Sequence, residues 1–299
     1  MIIPTPYFNM IVYLYANEDD AKTNNTKNGG GTGFLFSSKL STDLQHNILY
    51  IVTNAHILEA LENMGSTHCT VRINTNDGKS DVIQTKISEW IRHKDGDDVA
   101  VYYLTLDSKW KCDFISSDML IKEDYVRTDI FGDQESPEVA EIDIDDNQEN
   151  RNWREVRKIG IGTDTIMVGR FMKHGGNDRN YPVVRRGHIA MLPFEPIMQT
   201  SRNYNQQSFL VETYSIGGFS GSPVFVQTAL NKRNKRHDDT SNGTTYGQGV
   251  FLLGIDWGHF DFEGEIVKND ASSLKIPSGM MCVVPAWKLD ELIRSIEVK

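Results

Sequence analysis

The sequence predicts an all-β protein, built as two six-stranded antiparallel β-barrels with a C-terminal helix. Short runs rich in β-branched and aromatic residues recur along most of the chain, separated by clusters of Gly, Asn and Asp. This is the pattern of many short strands joined by turns. The runs fall into two sets of six, and six strands are enough to close a small barrel. At the end of the chain the spacing changes to that of an amphipathic helix.

The first set lies within residues 1–125, the predicted N-terminal barrel. A short helix is expected at residues 55–63, directly after the strand that ends at Thr53. The run at 84–90 follows the alternation of a half-buried strand only imperfectly. The six predicted strands cover residues 10–15, 33–37, 49–53, 69–73, 84–90 and 99–104.

The second set lies within residues 161–299, the predicted C-terminal barrel. Its strands cover residues 165–171, 183–191, 209–213, 223–227, 250–257 and 280–284. A helix is predicted at 286–298, with Pro285 at its favoured start. The apolar residues of this helix form one stripe, which indicates a face docked on the core: Trp287, Leu289, Leu292, Ile293 and Ile296.

Two polar segments interrupt the strands and carry opposite charges. Residues 126–160 form an acidic linker, in which residues 129–157 hold ten acidic residues against three Arg. Residues 228–249 form a basic segment with four clustered cations and no apolar periodicity, which favours a long hairpin loop. We expect the acidic segment to be a solvated insertion. Both segments are candidate docking sites for a protein partner.

Composition and charge exclude several classes of protein. The 299 residues carry a formal net charge of −10, which repels phosphate backbones, so nucleic acid is not an expected partner. A membrane helix needs about 18 consecutive apolar residues, and the chain has no such run. Three widely spaced cysteines, with no C-x-x-C pair, predict a reducing compartment and no zinc site. The N-terminus lacks the basic region of a signal peptide, so we expect a cytoplasmic location.

The candidate nucleophile is Ser220, within the sequence GGFSGSP at residues 217–223. Glycines beside a serine let the main chain turn tightly, so that the N–H groups of Gly218 and Ser220 converge on a carbonyl oxygen that gains charge. Taken alone, such a sequence is also typical of an ordinary Gly/Ser turn.

A serine hydroxyl needs a base, because its free pKa makes it a poor nucleophile. His56 is the best candidate, since it follows an apolar strand at the point where a short helix begins. A carboxylate would orient the imidazole, and Asp98 stands at the entrance to the apolar strand at 99–104. Asp97 is a direct competitor for that role.

Five motifs in the order His, Asp, Ser give the chain a family resemblance. They are GTGF at 31–34, VTNAH at 52–56, DVAV at 98–101, GFSGSP at 218–223 and LGI at 253–255. Together they resemble the trypsin-like (chymotrypsin-fold) serine proteases, particularly the disulfide-free HtrA-type branch. The resemblance implies a site in the cleft between two barrels. It also implies an oxyanion hole formed by the N–H groups of Gly218 and Ser220.

The same resemblance suggests where substrate binds and where the chain departs from its relatives. Asp256, Trp257 and Gly258 would line the edge to which a peptide adds as an antiparallel strand. Tyr214 takes the position of the pocket floor, so a preference for Lys or Arg has no support. Phe219 replaces the Asp that pairs with a newly cleaved N-terminus, which excludes that route of activation. HtrA relatives carry a PDZ domain after the protease, whereas here only a helix is predicted.

These observations predict an intracellular serine endopeptidase that needs no cofactor and no metal. His56, Asp98 and Ser220 would form its triad, with a protein or peptide as substrate and with regulation by a partner or a conformational change. By analogy, relatives of this kind serve stress or antiviral systems. The alternative is a catalytically silent trypsin fold that binds peptides or acts as a scaffold. A closed resting form of the site would look the same in sequence.

Overall fold

A computed structural model describes residues 3–40, 43–127, 139–143, 152–234, 244–265 and 273–297. Strands dominate these residues, as predicted. In the part of the chain described, no helix is both long and apolar enough to cross a membrane.

The N-terminal half forms an open sheet that curves into a half-barrel. Its strands run in the order β5-β4-β1-β2-β3-β7-β6, and β8 pairs in parallel with β2. Strand β1 lies between β2 and β4, and all five of its residues are buried, so both faces of the sheet are covered at this strand. The elements are α1 (Pro6–Asn9), β1 (Ile11–Tyr15), α2 (Glu18–Thr23), β2 (Gly31–Leu40), β3 (Asp43–Thr53), α3 (Ala55–Asn63), β4 (His68–Asn74), β5 (Ser80–Lys86), β6 (Ile91–Arg92), β7 (Ala100–Tyr103) and β8 (Ile115–Ser116).

The C-terminal half contains a closed six-stranded barrel, which confirms the second predicted barrel. The barrel runs β11-β12-β15-β18-β17-β16 and closes through pairing of β16 with β11. The elements of this half are β9 (Val139–Asp143), β10 (Asn152–Arg157), β11 (Asp164–Gly169), β12 (Val183–Met191), β13 (Ile197–Gln199), β14 (Tyr204–Gln206), β15 (Phe209–Glu212), β16 (Pro223–Asn234), β17 (Thr244–Glu265), β18 (Ser273–Pro285) and α4 (Ala286–Glu297).

Three sequence predictions are corrected by the structure. The N-terminal strands do not close, because no pairing joins the edge strands β5 and β6 among the residues described. The strand predicted at 84–90 ends at Lys86 and continues as a 3-10 helix, Ile87–Glu89, as its weak alternation suggested. Short helical and strand elements, including α1, α2 and the β13–β14 hairpin, were not predicted.

The two polar segments also contribute strands. Part of the acidic segment forms β9 and β10, which pair with each other, and β10 pairs with β16. The predicted basic loop is shortened because β16 and β17 extend into it as a paired ladder. Residues 128–138, 144–151 and 235–243 lie outside the described residues, together with part of each predicted segment.

The two halves share a continuous apolar core. Phe225 and Leu252 of the barrel pack with buried residues of the N-terminal sheet, and Tyr7 lies edge-on to Phe225 with ring centroids 4.9 Å apart. Helix α4 follows the last barrel strand but buries its apolar stripe in this same core. The helix predicted at 286–298 is therefore confirmed, and it returns the chain end to the N-terminal half.

We expect Leu289→Ala to destabilise the protein by about 2–5 kcal/mol, because Leu289 is fully buried and its removal leaves a cavity. Arg294→Ala on the same helix is the matched control, since Arg294 is exposed and, among the described residues, bonds only Asp290, at 2.9 Å. Urea unfolding gives both free energies. Equal, small losses in the two variants would show that α4 is not part of the core.

Candidate active site

His56 lies at the start of α3, directly beyond the end of β3. Asn54, the residue before the helix, is fully buried and its side-chain amide donates to the main-chain oxygen of Asp98 at 2.8 Å. This bond fixes the turn from strand to helix against the loop that carries Asp98. The imidazole of His56 remains 23% exposed, so one side of the ring is open to solvent.

Asp98 is fully buried and its carboxylate faces His56. The Nδ1 atom of His56 lies 2.6 Å from Oδ2 of Asp98, and the main-chain N–H of His56 donates to Oδ1 at 2.8 Å. Asp97 is also buried, but its carboxylate accepts from Gln206 at 2.7 Å and lies 3.5 Å from Lys288 Nζ. Of the two neighbouring acids, the structure thus brings Asp98 to the imidazole.

The pairing shifts the proton equilibria of both groups. Burial lowers the pKa of His56, but the charge and hydrogen bond of Asp98 outweigh burial, so this pKa lies above its usual value. Burial raises the pKa of Asp98, but the charge of His56 and several hydrogen bonds outweigh it, so this pKa lies below its usual value. Asp98 is therefore a carboxylate, and a carboxylate can only accept from a protonated Nδ1. This contact leaves Nε2 of His56 unengaged.

The turn that carries Ser220 depends on two glycines with left-handed main-chain conformations. Gly218 has φ +97°, and a Cβ there would lie 2.2 Å from Cγ of Met172. Gly221 has φ +86°, and a Cβ there would lie 1.9 Å from the main-chain oxygen of Thr32. Any side chain would therefore be both strained and obstructed at these two positions.

This turn is fixed to the N-terminal half, close to α3. The N–H of Thr32 donates to the main-chain oxygen of Ser220 at 2.9 Å. Gly31 lies between the turn and the helix, because a Cβ there would be 3.0 Å from Ser220 O and 2.5 Å from Cδ1 of Ile57. Among the described residues, the Ser220 hydroxyl makes no hydrogen bond to His56. Such bonds are often long in the absence of substrate.

Among the described residues, the N–H groups of the turn that have no acceptor include the two predicted to hold an oxyanion. Three N–H groups donate to main-chain oxygens within the turn or in β17, namely those of Phe219, Gly221 and Ser222, which bond Ile216, Asp256 and Phe219. Within the described chain, the N–H groups of Gly218 and Ser220 have no acceptor. Two unpaired donors beside one hydroxyl are suited to binding a carbonyl oxygen that becomes negatively charged.

The β13–β14 hairpin supplies contacts that the sequence analysis missed. Gln199 donates to Oδ2 of Asp98 at 2.7 Å, and Gln206 accepts the N–H of Asp98 at 2.8 Å. The strands that carry them have three residues each. Strands of this length are too short for an alternation of polar and apolar residues to be recognised in the sequence.

The residues predicted to bind substrate lie in different environments. The Asp256 side chain is fully buried, where it accepts from Ser215 Oγ at 3.0 Å and from the N–H of Gly258 at 2.9 Å. Trp257 is partly buried and donates to Ser208. The side chain of Tyr214 is 55% exposed. Asp256 thus faces the interior rather than a substrate.

The main chain of β17 nevertheless has an open edge beside the turn. Strand β16 begins at Pro223, which pairs with Ile255, and the N–H and main-chain oxygen of Asp256 still bond Ser222 and Gly221 of the turn. After Asp256, the residues of β17 form a ladder only with β18 among the residues described. An open edge of this kind can accept an extended peptide through main-chain hydrogen bonds.

The buried carboxyl of Asp256 should make the protein less stable as pH rises. Burial raises the pKa of this carboxyl to about 7, against 3.8 for the ordinary group. The folded protein therefore holds a proton that the unfolded chain has lost, and stability falls as pH rises from about 4 to about 7. We expect Asp256→Asn to remove about 2–3 kcal/mol of the wild-type loss in unfolding free energy between pH 5 and pH 8.

Urea unfolding of wild type and Asp256→Asn at both pH values measures this difference. Asp290→Asn is the control, since Asp290 is on the surface of α4. Identical pH dependence in wild type and Asp256→Asn would contradict the raised pKa.

Comparison with known proteins places this geometry in a family. A sequence profile described as a trypsin-like peptidase domain matches residues 31–229. Among solved structures, the chain is similar to one titled "Crystal structure of Deg5", with 13% identity, 97% of this chain and 88% of that chain covered, and a TM-score of 0.47. No curated protein matches the chain. Since the profile covers two thirds of the sequence and includes His56, Asp98 and Ser220, the chain belongs to the trypsin-like peptidase domain family.

Proposed function

We propose that this protein is a serine endopeptidase in which Ser220 is the nucleophile, His56 the general base and Asp98 the group that orients His56. The observation that carries this proposal is the 2.6 Å contact between His56 Nδ1 and the buried carboxylate of Asp98. That contact leaves Nε2 as the atom that takes a proton. The two unpaired N–H groups beside Ser220 support the same role.

The reaction proceeds in two steps, formation of an acyl-enzyme and its hydrolysis. The Ser220 proton passes to Nε2 of His56 while Oγ bonds to the peptide carbonyl carbon, and the carbonyl oxygen takes the negative charge. The N–H groups of Gly218 and Ser220 hold that oxyanion, each contributing about 3 kcal/mol. The C–N bond then breaks, and His56 returns the proton to the leaving amine. Water then attacks the acyl-enzyme in the same way: it gives a proton to Nε2 of His56 and bonds to the carbonyl carbon. The bond to Ser220 Oγ breaks, and His56 returns the proton to Ser220.

Substrate binding follows from the open edge of β17. A peptide added there as an antiparallel strand runs past the Ser220 turn and beside the main chain of Trp257. The N–H of Gly258 already bonds Asp256, so it does not take part in this binding. Burial of Asp256 and exposure of Tyr214 mean that no charged side chain from these positions selects the substrate residue. We therefore propose recognition dominated by the peptide main chain.

Regulation and location are part of the same proposal. An endopeptidase in the cytoplasm must be restrained from cutting its neighbours. The acidic segment at 126–160 and the basic segment at 228–249 carry opposite charges, which suit them to docking a protein that activates the site.

A fluorophosphonate probe tests the nucleophile without knowledge of the substrate. We expect one covalent adduct on the wild-type protein and none on Ser220→Ala or His56→Ala, measured by intact mass. Ser222→Ala is the matched control, because its hydroxyl is buried and makes no hydrogen bond among the residues described. This variant should label as the wild type does.

The alternative function gives a different result in the same experiment. A silent peptide-binding module leaves all four proteins unlabelled, and still does so when candidate partners are added. Labelling that persists in Ser220→Ala would reject Ser220 as the nucleophile.

The labelling rate should rise with pH as His56 loses its proton. Because Asp98 holds the pKa of His56 above its usual value, we expect a midpoint above the ordinary value of about 6.5. Asp98→Asn should lower the midpoint and reduce the plateau rate about 10³–10⁴-fold, as in the well-studied serine proteases. Asp97→Asn is the control and should stay close to the wild-type rate. Similar losses in both variants would contradict the assignment of Asp98.

A further inference from the structure

The β13–β14 hairpin leaves the C-terminal half and contacts the part of the N-terminal half that carries Asp98. Gln199 pairs with Tyr204, so Gln206 is the diagonal neighbour of Gln199 on the same face of the hairpin. Both glutamines are almost fully buried. The opposite face presents Met198 and Asn205 to solvent. The hairpin thus has one buried polar face, and that face meets Asp98.

Gln199 completes the hydrogen bonding of the Asp98 carboxylate. The two bonds from His56, one to each carboxylate oxygen, come from the same half of the protein as Asp98. The bond from Gln199 Nε2 to Oδ2, at 2.7 Å, is a side-chain donor that comes from the other half. A buried carboxylate is stable only when donors compensate its lost hydration. Gln199 is therefore part of what keeps Asp98 ionised and oriented.

Gln206 fixes the main chain at the same point. Its Oε1 accepts the N–H of Asp98 at 2.8 Å, and its Nε2 donates to Oδ1 of Asp97 at 2.7 Å. Each end of the amide has a partner of the correct kind, so its orientation is determined. The peptide that positions Asp98 is thereby held by the same hairpin that holds its carboxylate.

Arg202, between the two strands, connects the hairpin to the helix that carries His56. Its guanidinium donates to both oxygens of Glu59 in α3, at 2.9 and 3.0 Å, and to the main-chain oxygen of Gly96 at 2.8 Å. Glu59 lies one helical turn after His56. The hairpin therefore contacts both the helix of His56 and the loop of Asp98, and sets their relative position.

We propose that Gln199 is a positioning residue for the triad: its amide holds Oδ2 of Asp98 in line with His56 Nδ1 and limits how strongly the carboxylate attracts a proton to the ring. The inference rests on the proposed function, because it assumes that His56 acts as a base. It goes beyond that function by giving the assembled triad a component from the β13–β14 hairpin. Loss of the amide makes the potential at His56 more negative and frees the carboxylate to rotate.

Two substitutions of similar size separate this role from simple packing. Gln199→Met fills the space but removes the donor. In Gln199→Glu, the new carboxyl and Asp98 are adjacent and together hold one proton at neutral pH. The protonated carboxyl therefore still donates an O–H hydrogen bond to its neighbour until this proton is lost at higher pH. We expect Gln199→Met to raise the pKa of His56 by about 0.5 to 1, equivalent to the net value of one hydrogen bond. We also expect it to slow labelling at the plateau about tenfold.

Gln199→Glu should keep a labelling rate near that of the wild type at neutral pH. At alkaline pH its rate should fall, because two adjacent carboxylates then lose the donor, and the pH profile becomes bell-shaped. If the labelling rate of Gln199→Glu stays at a plateau at alkaline pH, as in the wild type, the proposal is overturned. This holds even if Gln199→Met fails to fold. Gln84→Met is the matched control, since Gln84 is exposed on β5 and bonds Glu18.

The titration of His56 is followed by NMR of its ring protons, and labelling is measured separately with the fluorophosphonate probe. A pKa of His56 that rises in Gln199→Met and stays unchanged in Gln84→Met supports the proposal. An unchanged pKa of His56 in folded Gln199→Met overturns it. Because the titration needs no activity, absence of labelling in the wild type would count against the proposed function alone.

Discussion

The site depends on a carboxylate that is completely removed from water. Burying the charge of Asp98 is costly unless an opposite charge or several donors compensate it. The compensation comes from His56 in one half of the protein and from Gln199 in the other. Arg202 Nη1, also from the C-terminal half, lies 3.9 Å from Oδ1 of Asp98. Groups from both halves therefore stabilise this carboxylate. The ionised state of Asp98 therefore depends on how the two halves pack against each other.

The Ser220 turn also depends on both halves of the protein. It is part of the C-terminal half, and hydrogen bonds from the N-terminal half hold it in position. Thr32 of β2 is the link: its N–H donates to Ser220 O at 2.9 Å, and its hydroxyl donates to Gly218 O at 2.8 Å. The main-chain N–H of Arg170 in turn donates to that hydroxyl. These bonds fix the peptides Gly218–Phe219 and Ser220–Gly221, whose N–H groups donate to the main-chain oxygens of Ile216 and Asp256. The turn is therefore held by contacts from both halves.

Sequence reasoning could predict features that depend on local chain geometry, and it stopped where a contact depends on a distant partner. His56 after a buried strand and glycines around Ser220 are local features, and the bounds of α3 and α4 follow from local periodicity. Asp97 and Asp98 are adjacent and both buried, so only their partners distinguish them. Gln199 and Gln206 lie on three-residue strands whose stability comes from contacts across the molecule. Whether the N-terminal sheet closes likewise depends on pairing between strands that are distant in sequence. The number of strands alone does not predict that pairing.

Two buried carboxyls near the site have opposite protonation behaviour, and their partners explain why. Asp98 has an imidazole, a main-chain N–H and an amide as donors, and these keep it ionised. Asp256 has only a hydroxyl and one N–H, and burial raises its pKa to about 7. Since Asp256 bonds both Ser215 before the Ser220 turn and Gly258 on the substrate edge, its ionisation places a negative charge where these two segments meet. That charge acts on His56 in the same direction as Asp98 does, so deprotonation of Asp256 favours the protonated imidazole. Proton exchange at Asp256 is thereby coupled to the protonation of His56.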